Sequence, residues 1–457
     1  MNIAAKPEVL HLAPHFGGGV GTVLRALVSA SLSEGRFNHR LLCLDSLNPL
    51  MAQWAASQQI EARGDLWHDL QALKNNLARA DVVHLHWWHH PLLNALMSRT
   101  DLPAFRCLLW SHVNGHHAPQ NFPLDLAAYP DVMVLSTPWS LQAPALAHGR
   151  IESPNIRIQV IQSSAGAPSM PIRRKNGHTR FQVGYVGTVA YEKLHPEFLR
   201  LCVAADLPEA SFIVCGGPDH ERLRQEAAAQ GLGAVFDIRG PVDNVSAVLS
   251  SIDVLGYPLN PQHYGTGEQV LLEAMAAGAV PIVLDNGCER HLVENGKTGM
   301  VCATVEEYIQ ALRLLHGNRA LLRRLSLNAR ESAPQRYPLH ALVSAWHQLY
   351  HESLGIAPRR RWLQTAAMAP DIPAGRPVSL LLNALAGTAA ADLFRGALLG
   401  GPKRGAECLK NLSPAWFSAT RGSPFHYHQF FPEDAQLASL CAMLREVSAL
   451  TRQGVSV

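Results

Sequence analysis

The sequence predicts an α/β protein made of two doubly wound, mostly parallel sheets in tandem, followed by an extension that belongs to neither. Three observations predict it. From Glu8 onward, short β-rich apolar runs alternate with helical segments. A stretch rich in Pro and basic residues after Gly166, "APSMPIRRKNGHT", then breaks the alternation, and a second series of the same kind restarts beyond it. Alternation of this type is the signature of parallel sheets covered by helices.

The first series reads "VLHLAP", "HRLLCLD", "VVHLHWW", "CLLWSHV", "VMVLST" and "IRIQVIQ", each closed by polar or glycine punctuation. The second reads "QVGYVG", "SFIVCGG", "VFDIRG", "DVLGYP", "VPIVLD" and "GMVCA", with helices expected at Glu197 to Ala205 and Glu221 to Gln230. Helical segments follow at Glu306 to Gly317, Arg319 to Ala333 and Leu339 to Leu354, before "GIAPRRRW" interrupts them. The expected organisation is a first domain at 1–168, a linker at 169–180, a second domain at 181–335, a returning helix at 336–356 and an extension at 357–457. Ligands of open parallel sheets bind beyond the carboxyl ends of the strands, so function is expected in the loops that follow strands, with the two domains facing a cleft.

Length and composition agree with a folded enzyme-like body. The 457 residues exceed one ordinary domain, 47% are hydrophobic and 16% charged. A net charge of +3 from 39 basic and 36 acidic side chains supplies no field for nucleic acid. Neither an apolar run long enough to span a bilayer nor a signal-peptide start is present, and the eight scattered cysteines lack zinc or disulfide spacing. They are read as reduced core thiols of a cytoplasmic protein, with contact at the inner membrane face left open.

The most informative stretch is "HYGTGEQVLLEAMAAGAVPIV", His263 to Val283. Gly265, Thr266 and Gly267 form a turn that opens onto a helix, and such a helix start presents backbone N–H groups and the positive end of the helix dipole to an anion. Glu268 and Glu273 lie at the start of that helix, about 140° apart around it if both are helical. An ordinary capped helix, with Thr266 as N-cap and Gln269 closing a capping box, explains the same residues equally well. A second glycine run, Gly17 to Gly19 with Gly18 and Gly19 leading into a helix, follows the first strand and is another candidate contact for an anion or sugar.

"LLEAMAAGAVPIVLDNGCERHLVENGKTGMV" resembles the donor segment of the family 4 retaining glycosyltransferases, whose fold is the two-domain GT-B form. "HFGGGVGTVLRALVSA", "DVVHLHWW", "LLWSHVNG", "VMVLST", "GYVGTVAYEKLHPEFL", "FIVCGGPD" and "IDVLGYPLNP" resemble further family segments in order, from about Val9 to Leu354. The resemblance implies a nucleotide-sugar co-substrate, a UDP- or GDP-sugar, and no other cofactor. It implies that Glu273 binds the ribose hydroxyls and that Lys193 meets the diphosphate. Thr188, just after the strand glycine Gly187, stands where many members carry an arginine. Gly265 stands where the family's E-x7-E motif has its first glutamate, which leaves Glu268 as the nearest carboxylate for the donor sugar.

Twenty-three histidines include two clusters, His84, His86, His89 and His90, then His112, His116 and His117. Strand alternation places His84 and His86 on one face. A metal cluster is conceivable there, but no cysteine or carboxylate is interleaved at ligand spacing, so no metal is expected. The resemblance assigns His112 to the strand end that faces the donor sugar, where it could hydrogen-bond a hydroxyl or stabilise charge. His86, His89 and His116 are expected on a polar rim, with His86 and His116 on the acceptor side. Trp87, Trp88 and Trp110 are candidates for sugar stacking, with core packing the expectation for at least two.

The expected function is sugar transfer from a nucleotide-sugar to an acceptor with retention, in bacterial glycan or glycoconjugate synthesis. The acceptor, a glycan, lipid-linked molecule or protein, is not specified by the sequence. A sugar-nucleotide epimerase on the same frame and a non-catalytic nucleotide-sugar-binding or scaffold subunit are the alternatives.

Overall fold

The computed structural model describes residues 6–152, 155–166, 180–363, 376–409 and 412–452. The expected linker falls almost wholly outside the described residues. The chain divides into two compact units, Met1–Gln162 with Val343–Val457, and Ser163–Leu342.

The first unit carries a parallel sheet of seven strands in the order β3-β2-β1-β4-β5-β6-β7. These are β1 (Glu8–Ala13), β2 (Asn38–Cys43), β3 (Ala62–Arg63), β4 (Val82–Trp87), β5 (Cys107–Ser111), β6 (Val132–Leu135) and β7 (Ile158–Val160). The two-residue β3 was not foreseen, because Ala62 and Arg63 carry no strand pattern. Central strands are covered on both faces, and β4 and β5 are buried along their whole length. The helix Gly18–Glu34 follows β1 and stops at Gly35, whose φ of 68° lets its N–H bond the carbonyls of Ser31 and Leu32.

The second unit holds six parallel strands in the order β10-β9-β8-β11-β12-β13. They are β8 (Gln182–Val186), β9 (Ser211–Cys215), β10 (Phe236–Gly240), β11 (Val254–Tyr257), β12 (Val280–Leu284) and β13 (Met300–Cys302). In both sheets the direction of winding reverses beside the first strand, between β1 and β4 and between β8 and β11. Such reversals leave a crevice at the carboxyl ends of the two strands.

The ends of β8 and β9 are held together by glycine. A Cβ added at Gly216, where φ is 133°, would stand 1.7 Å from the carbonyl oxygen of Gly187. Gly216→Ala is therefore expected to destabilise the second unit by about 2–4 kcal/mol, read as a lower urea midpoint at unchanged m-value.

The C-terminal extension belongs to the first unit and has its own helical core. Helices Pro377–Ala384, Ala389–Cys408, Pro424–Phe430 and Ala435–Arg452 gather Leu381, Phe394, Trp416, Tyr427, Leu440 and Leu444, with Ala95 joining from the helix that follows β4. The aromatic run "FHYHQFFP" is a packing segment: Tyr427 is fully buried, accepts a hydrogen bond from Asn94 (2.6 Å) and lies 2.9 Å from His89 Nε2. The basic residues at the start of the extension are engaged internally, since Arg359 and Arg361 both pair with Asp131 at 3.0 and 2.9 Å. Among the described residues no helix is long and apolar enough to cross a membrane, and seven cysteines are buried.

Candidate functional site

The second unit gathers its chemistry where β8 and β11 end. The loop after β8 carries Gly187, Thr188 and Lys193, and the loop after β11 carries His263 to Glu268. The two loops are stitched together by main-chain bonds, His195 N–H to the Pro258 carbonyl (3.1 Å) and Asn260 N–H to the Lys193 carbonyl (2.8 Å). Lys193 Nζ donates to Glu268 Oε2 at 2.9 Å, and the Tyr257 hydroxyl donates to the same oxygen at 2.6 Å. Glu268 is buried and Lys193 is largely so.

Burial opposes charge on each partner, yet the pair holds it. The Glu268 carboxylate outweighs the desolvation of Lys193 and sets its pKa above the usual value, and Lys193 in turn keeps Glu268 below the usual carboxylate value. Tyr257 is buried beside this carboxylate, so its pKa is pushed far up and its hydroxyl remains a donor. Tyr185 stacks on Tyr257 with ring centroids 5.3 Å apart and donates its own hydroxyl to the Thr188 carbonyl at 2.7 Å.

Glu268 is not part of the helix. It is the residue before the helix Gln269–Ala277, in the left-handed region with φ 30° and ψ 58°. That backbone turns its side chain back over the loop, and a Cβ added at Gly265 would stand 1.8 Å from Glu268 Oε1. The space beside the backbone at position 265, where the family motif places a glutamate, thus holds the carboxylate of Glu268. Two expectations are corrected here. Thr266 does not cap the helix, because the helix begins at Gln269 and no side chain caps it, and the angle between Glu268 and Glu273 is not set by helical rotation.

A second buried pair supports the loop from behind. Gly265 N–H donates to His263 Nδ1 (2.9 Å), which leaves the ring proton on Nε2 for Glu289 Oε2 at 3.3 Å. The Cys288 thiol points to the Gly265 carbonyl at 2.8 Å. Thr266 and Gly267 are buried, and Gly267 lies against Ser163, whose carbonyl oxygen would be 2.7 Å from a Cβ at that position. Glu273 stands apart, half-buried one turn into the helix, where it accepts a bond from Gln269 (3.3 Å). Burial raises its pKa. Gln269 also holds the N–H of Ala165 and the carbonyl of Gly166.

In the first unit, Gly18 and Gly19 are exposed at the start of the helix Gly18–Glu34, with open space where a Cβ would be. His112 is half-buried just beyond β5, and its Nε2 lies 2.9 Å from His86 Nδ1. His86 and His89 are fully buried, which overturns their expected place on a polar rim and removes His86 from direct contact with an acceptor. His116 stays partly open and stacks on Trp139 at 3.9 Å. Trp87, Trp88 and Trp110 are all core residues.

His11, His84 and His86 bring one nitrogen each within 4.8 Å of one another, as do His263, Glu268 and Glu289 with their ligand atoms. The first trio does not fit an ion. The rings of His84 and His86 are stacked 4.3 Å apart and 8° from parallel, so their in-plane lone pairs run side by side instead of converging. The second trio is already balanced by Lys193 and by the His263–Glu289 hydrogen bond.

Sequence reasoning missed Tyr257, Tyr185, His263 and Glu289. The tyrosines lie inside β-rich runs and read as strand formers, while Glu289 sits in a four-residue helix, Glu289–Leu292, with no recognisable pattern.

Comparison with known proteins extends this picture. The chain is similar in structure to Anabaena HepE in complex with UDP and glucose (15% identity, TM-score 0.60, covering 76% of this chain and 100% of that one). It is also similar to sucrose-phosphate synthase from Thermosynechococcus elongatus (17%, 0.60, 76% and 99%) and to WaaG, a glycosyltransferase involved in lipopolysaccharide biosynthesis (14%, 0.54, 75% and 99%). A search of curated proteins finds no match to the sequence. The fold is the two-domain GT-B frame, and residues 170–332, which include the whole Lys193–Glu268 constellation, match the family model of glycosyl transferases group 1.

Proposed function

We propose that this protein is a retaining glycosyltransferase that moves a sugar, a hexose or a relative of one, from a UDP- or GDP-sugar to an acceptor hydroxyl. The observation that carries the reading is the buried Lys193–Glu268–Tyr257 arrangement at the carboxyl ends of β8 and β11. It stands at the reversal of strand order, where open α/β sheets take their ligands. The similar HepE, in complex with UDP and glucose and with UDP-glucose, supports the class of donor.

In this reading Glu273 accepts from the ribose hydroxyls and Glu268 from hydroxyls of the donor sugar. As the bond from the anomeric carbon to the diphosphate breaks, negative charge grows on the leaving oxygens. Lys193 and the N-terminal end of the helix Gln269–Ala277 meet that charge. Thr188 adds no cation, so Lys193 carries more of the load than it would beside an arginine, and the reading calls on no metal. The loops at Gly187 and at Gly265–Gly267 frame the donor, with Gly265 leaving room for the Glu268 carboxylate. The acceptor is assigned to the first unit near Gly18, Gly19, His112 and His116, as part of bacterial glycan or glycoconjugate assembly on the cytoplasmic side.

A thermal-shift panel of UDP-, GDP-, ADP- and dTDP-sugars tests the reading. One donor class is expected to stabilise the wild type, with Glu273→Ala reducing its affinity at least about tenfold. Equal shifts in wild type and variant would remove Glu273 from the nucleotide site, and no shift with any donor would remove the site itself.

A further inference from the structure

Five histidines and a serine of the first unit form a hydrogen-bonded line that ends beside a carboxylate. From His112 Nε2 it runs to His86 Nδ1 (2.9 Å), from His86 Nε2 to His11 Nδ1 (3.0 Å) and from His11 Nε2 to His39 Nδ1 (2.9 Å). His39 Nε2 then meets the Ser31 hydroxyl (2.7 Å), which meets His347 Nε2 (2.7 Å), and His347 Nδ1 lies 3.2 Å from the partly exposed carboxylate of Glu34. Each of the first four rings presents Nε2 to its successor, so the polarity never reverses along the line.

Packing alone does not call for this. His11, His39 and His86 are buried, with Phe16 and Trp110 beside His86 and Tyr350 beside His39, where aliphatic side chains would fill the space without polar groups to satisfy. Burial keeps the rings neutral, which gives each one N–H and one lone pair. His84 is a side branch, stacked on His86 and Trp346 and bonded to Tyr350. Charged groups stand at the outer end, where Glu34 faces both His347 and Arg36.

We propose that His112, His86, His11, His39, Ser31 and His347 form a proton relay between the acceptor hydroxyl and Glu34, a role that rests on the transfer reaction proposed above. As the acceptor oxygen bonds the anomeric carbon, the bond to the diphosphate breaks and its electron pair leaves with the diphosphate. The hydroxyl proton passes to the His112 ring, and the His112 Nε2 proton moves to His86 Nδ1. Each Nε2 proton moves one place onward, the Ser31 hydroxyl passes its own to His347 Nε2, and His347 Nδ1 gives a proton to Glu34. On product release the line runs back, Glu34 returns its proton, and His112 yields one to the diphosphate or to water. Atoms and charge balance over the cycle, and no ring has to turn.

The test uses Ser31→Ala, which cuts the line, and Glu34→Gln, a surface change that removes its terminal base without a folding burden. With the donor that the panel selects, both are expected to lower kcat at least roughly tenfold while donor KM and the nucleotide thermal shift stay as in the wild type. The proton inventory of kcat in mixed H2O and D2O should change from curved to linear. Wild-type kcat and an unchanged inventory in Glu34→Gln would overturn the relay, whether or not Ser31→Ala folds. Should the wild type bind donor and transfer nothing, the catalytic reading fails and nitrogen-15 NMR of labelled histidines decides the relay separately. Glu34→Gln shifting the tautomer balance as far as His11 supports the line, and shifts confined to His347 refute it.

Discussion

Glu268→Gln is expected to lower sugar transfer by about 10²- to 10³-fold, with Lys193→Ala falling at least as far. The two side chains are one device. Lys193 is held charged by the carboxylate at 2.9 Å, and Tyr257 fixes that carboxylate from the other side at 2.6 Å. Loss of the negative charge leaves a buried ammonium without its partner, so a stability loss of about 3 kcal/mol should accompany the loss of rate. Rates are therefore compared well below the melting temperature of the variant. The double variant Gly265→Glu with Glu268→Gly returns a carboxylate to the position of the family motif. Recovery of activity over Glu268→Gln would show that the place of the carboxylate matters and not the residue number, whereas a double variant no better than the single one would tie the role to the left-handed backbone at 268.

The second large effect is acid lability confined to the first unit. His39 and His426 are held at about 3 and His89 at about 4 by burial, and His11, His84, His86 and His90 lie well below the ordinary histidine value for the same first reason. These rings are neutral in the fold and take up protons near pH 6.5 once unfolded. The stability they contribute is complete above about pH 6.5 and is lost as pH falls toward the folded values. At pH 5 each ring costs about 2 kcal/mol relative to neutral pH, and several together match the stability of a typical domain. Among the described residues His263 is the buried histidine of the second unit. Near-ultraviolet circular dichroism, which reports on buried Trp110 and Trp346, should collapse between about pH 5.5 and 4, while the second unit persists. A native signal retained at pH 4 would contradict this.

Much of the fold was legible because strands buried on both faces are written as apolar runs. β4 and β5 appear in the sequence as "VVHLHWW" and "CLLWSHV", and their boundaries follow from punctuation. The loops after β8 and β11 were legible for the same reason, and Lys193 and Glu268 do meet there. What could not be read was how they meet. Gly265 reads as a missing acid, and nothing local announces that Glu268 adopts φ 30° and returns a carboxylate to that place. Strand alternation put His84 and His86 on one face. The line that runs through His86 also needs β1, β2 and two helices, and its Ser31–His347 link joins residues 316 apart. Tertiary pairing at that distance leaves no periodic trace. The rim assigned to His86 and His89 failed because a polar residue suggests solvent by default, while here the ring nitrogens find partners inside the core, His11 for His86 and the Pro119 carbonyl and Tyr427 hydroxyl for His89.

The central claim is that the Lys193–Glu268 pair works on the bond between sugar and diphosphate. Release of free nucleotide from the donor that best stabilises the protein, measured for the wild type and for Glu268→Gln at matched saturation, tests it most directly. Slow release by the wild type that acceptor accelerates is expected, with a loss of about 10²-fold or more in the variant while donor binding is retained. Binding without any release in the wild type, or equal release by both proteins, would contradict it and would favour a nucleotide-sugar-binding subunit.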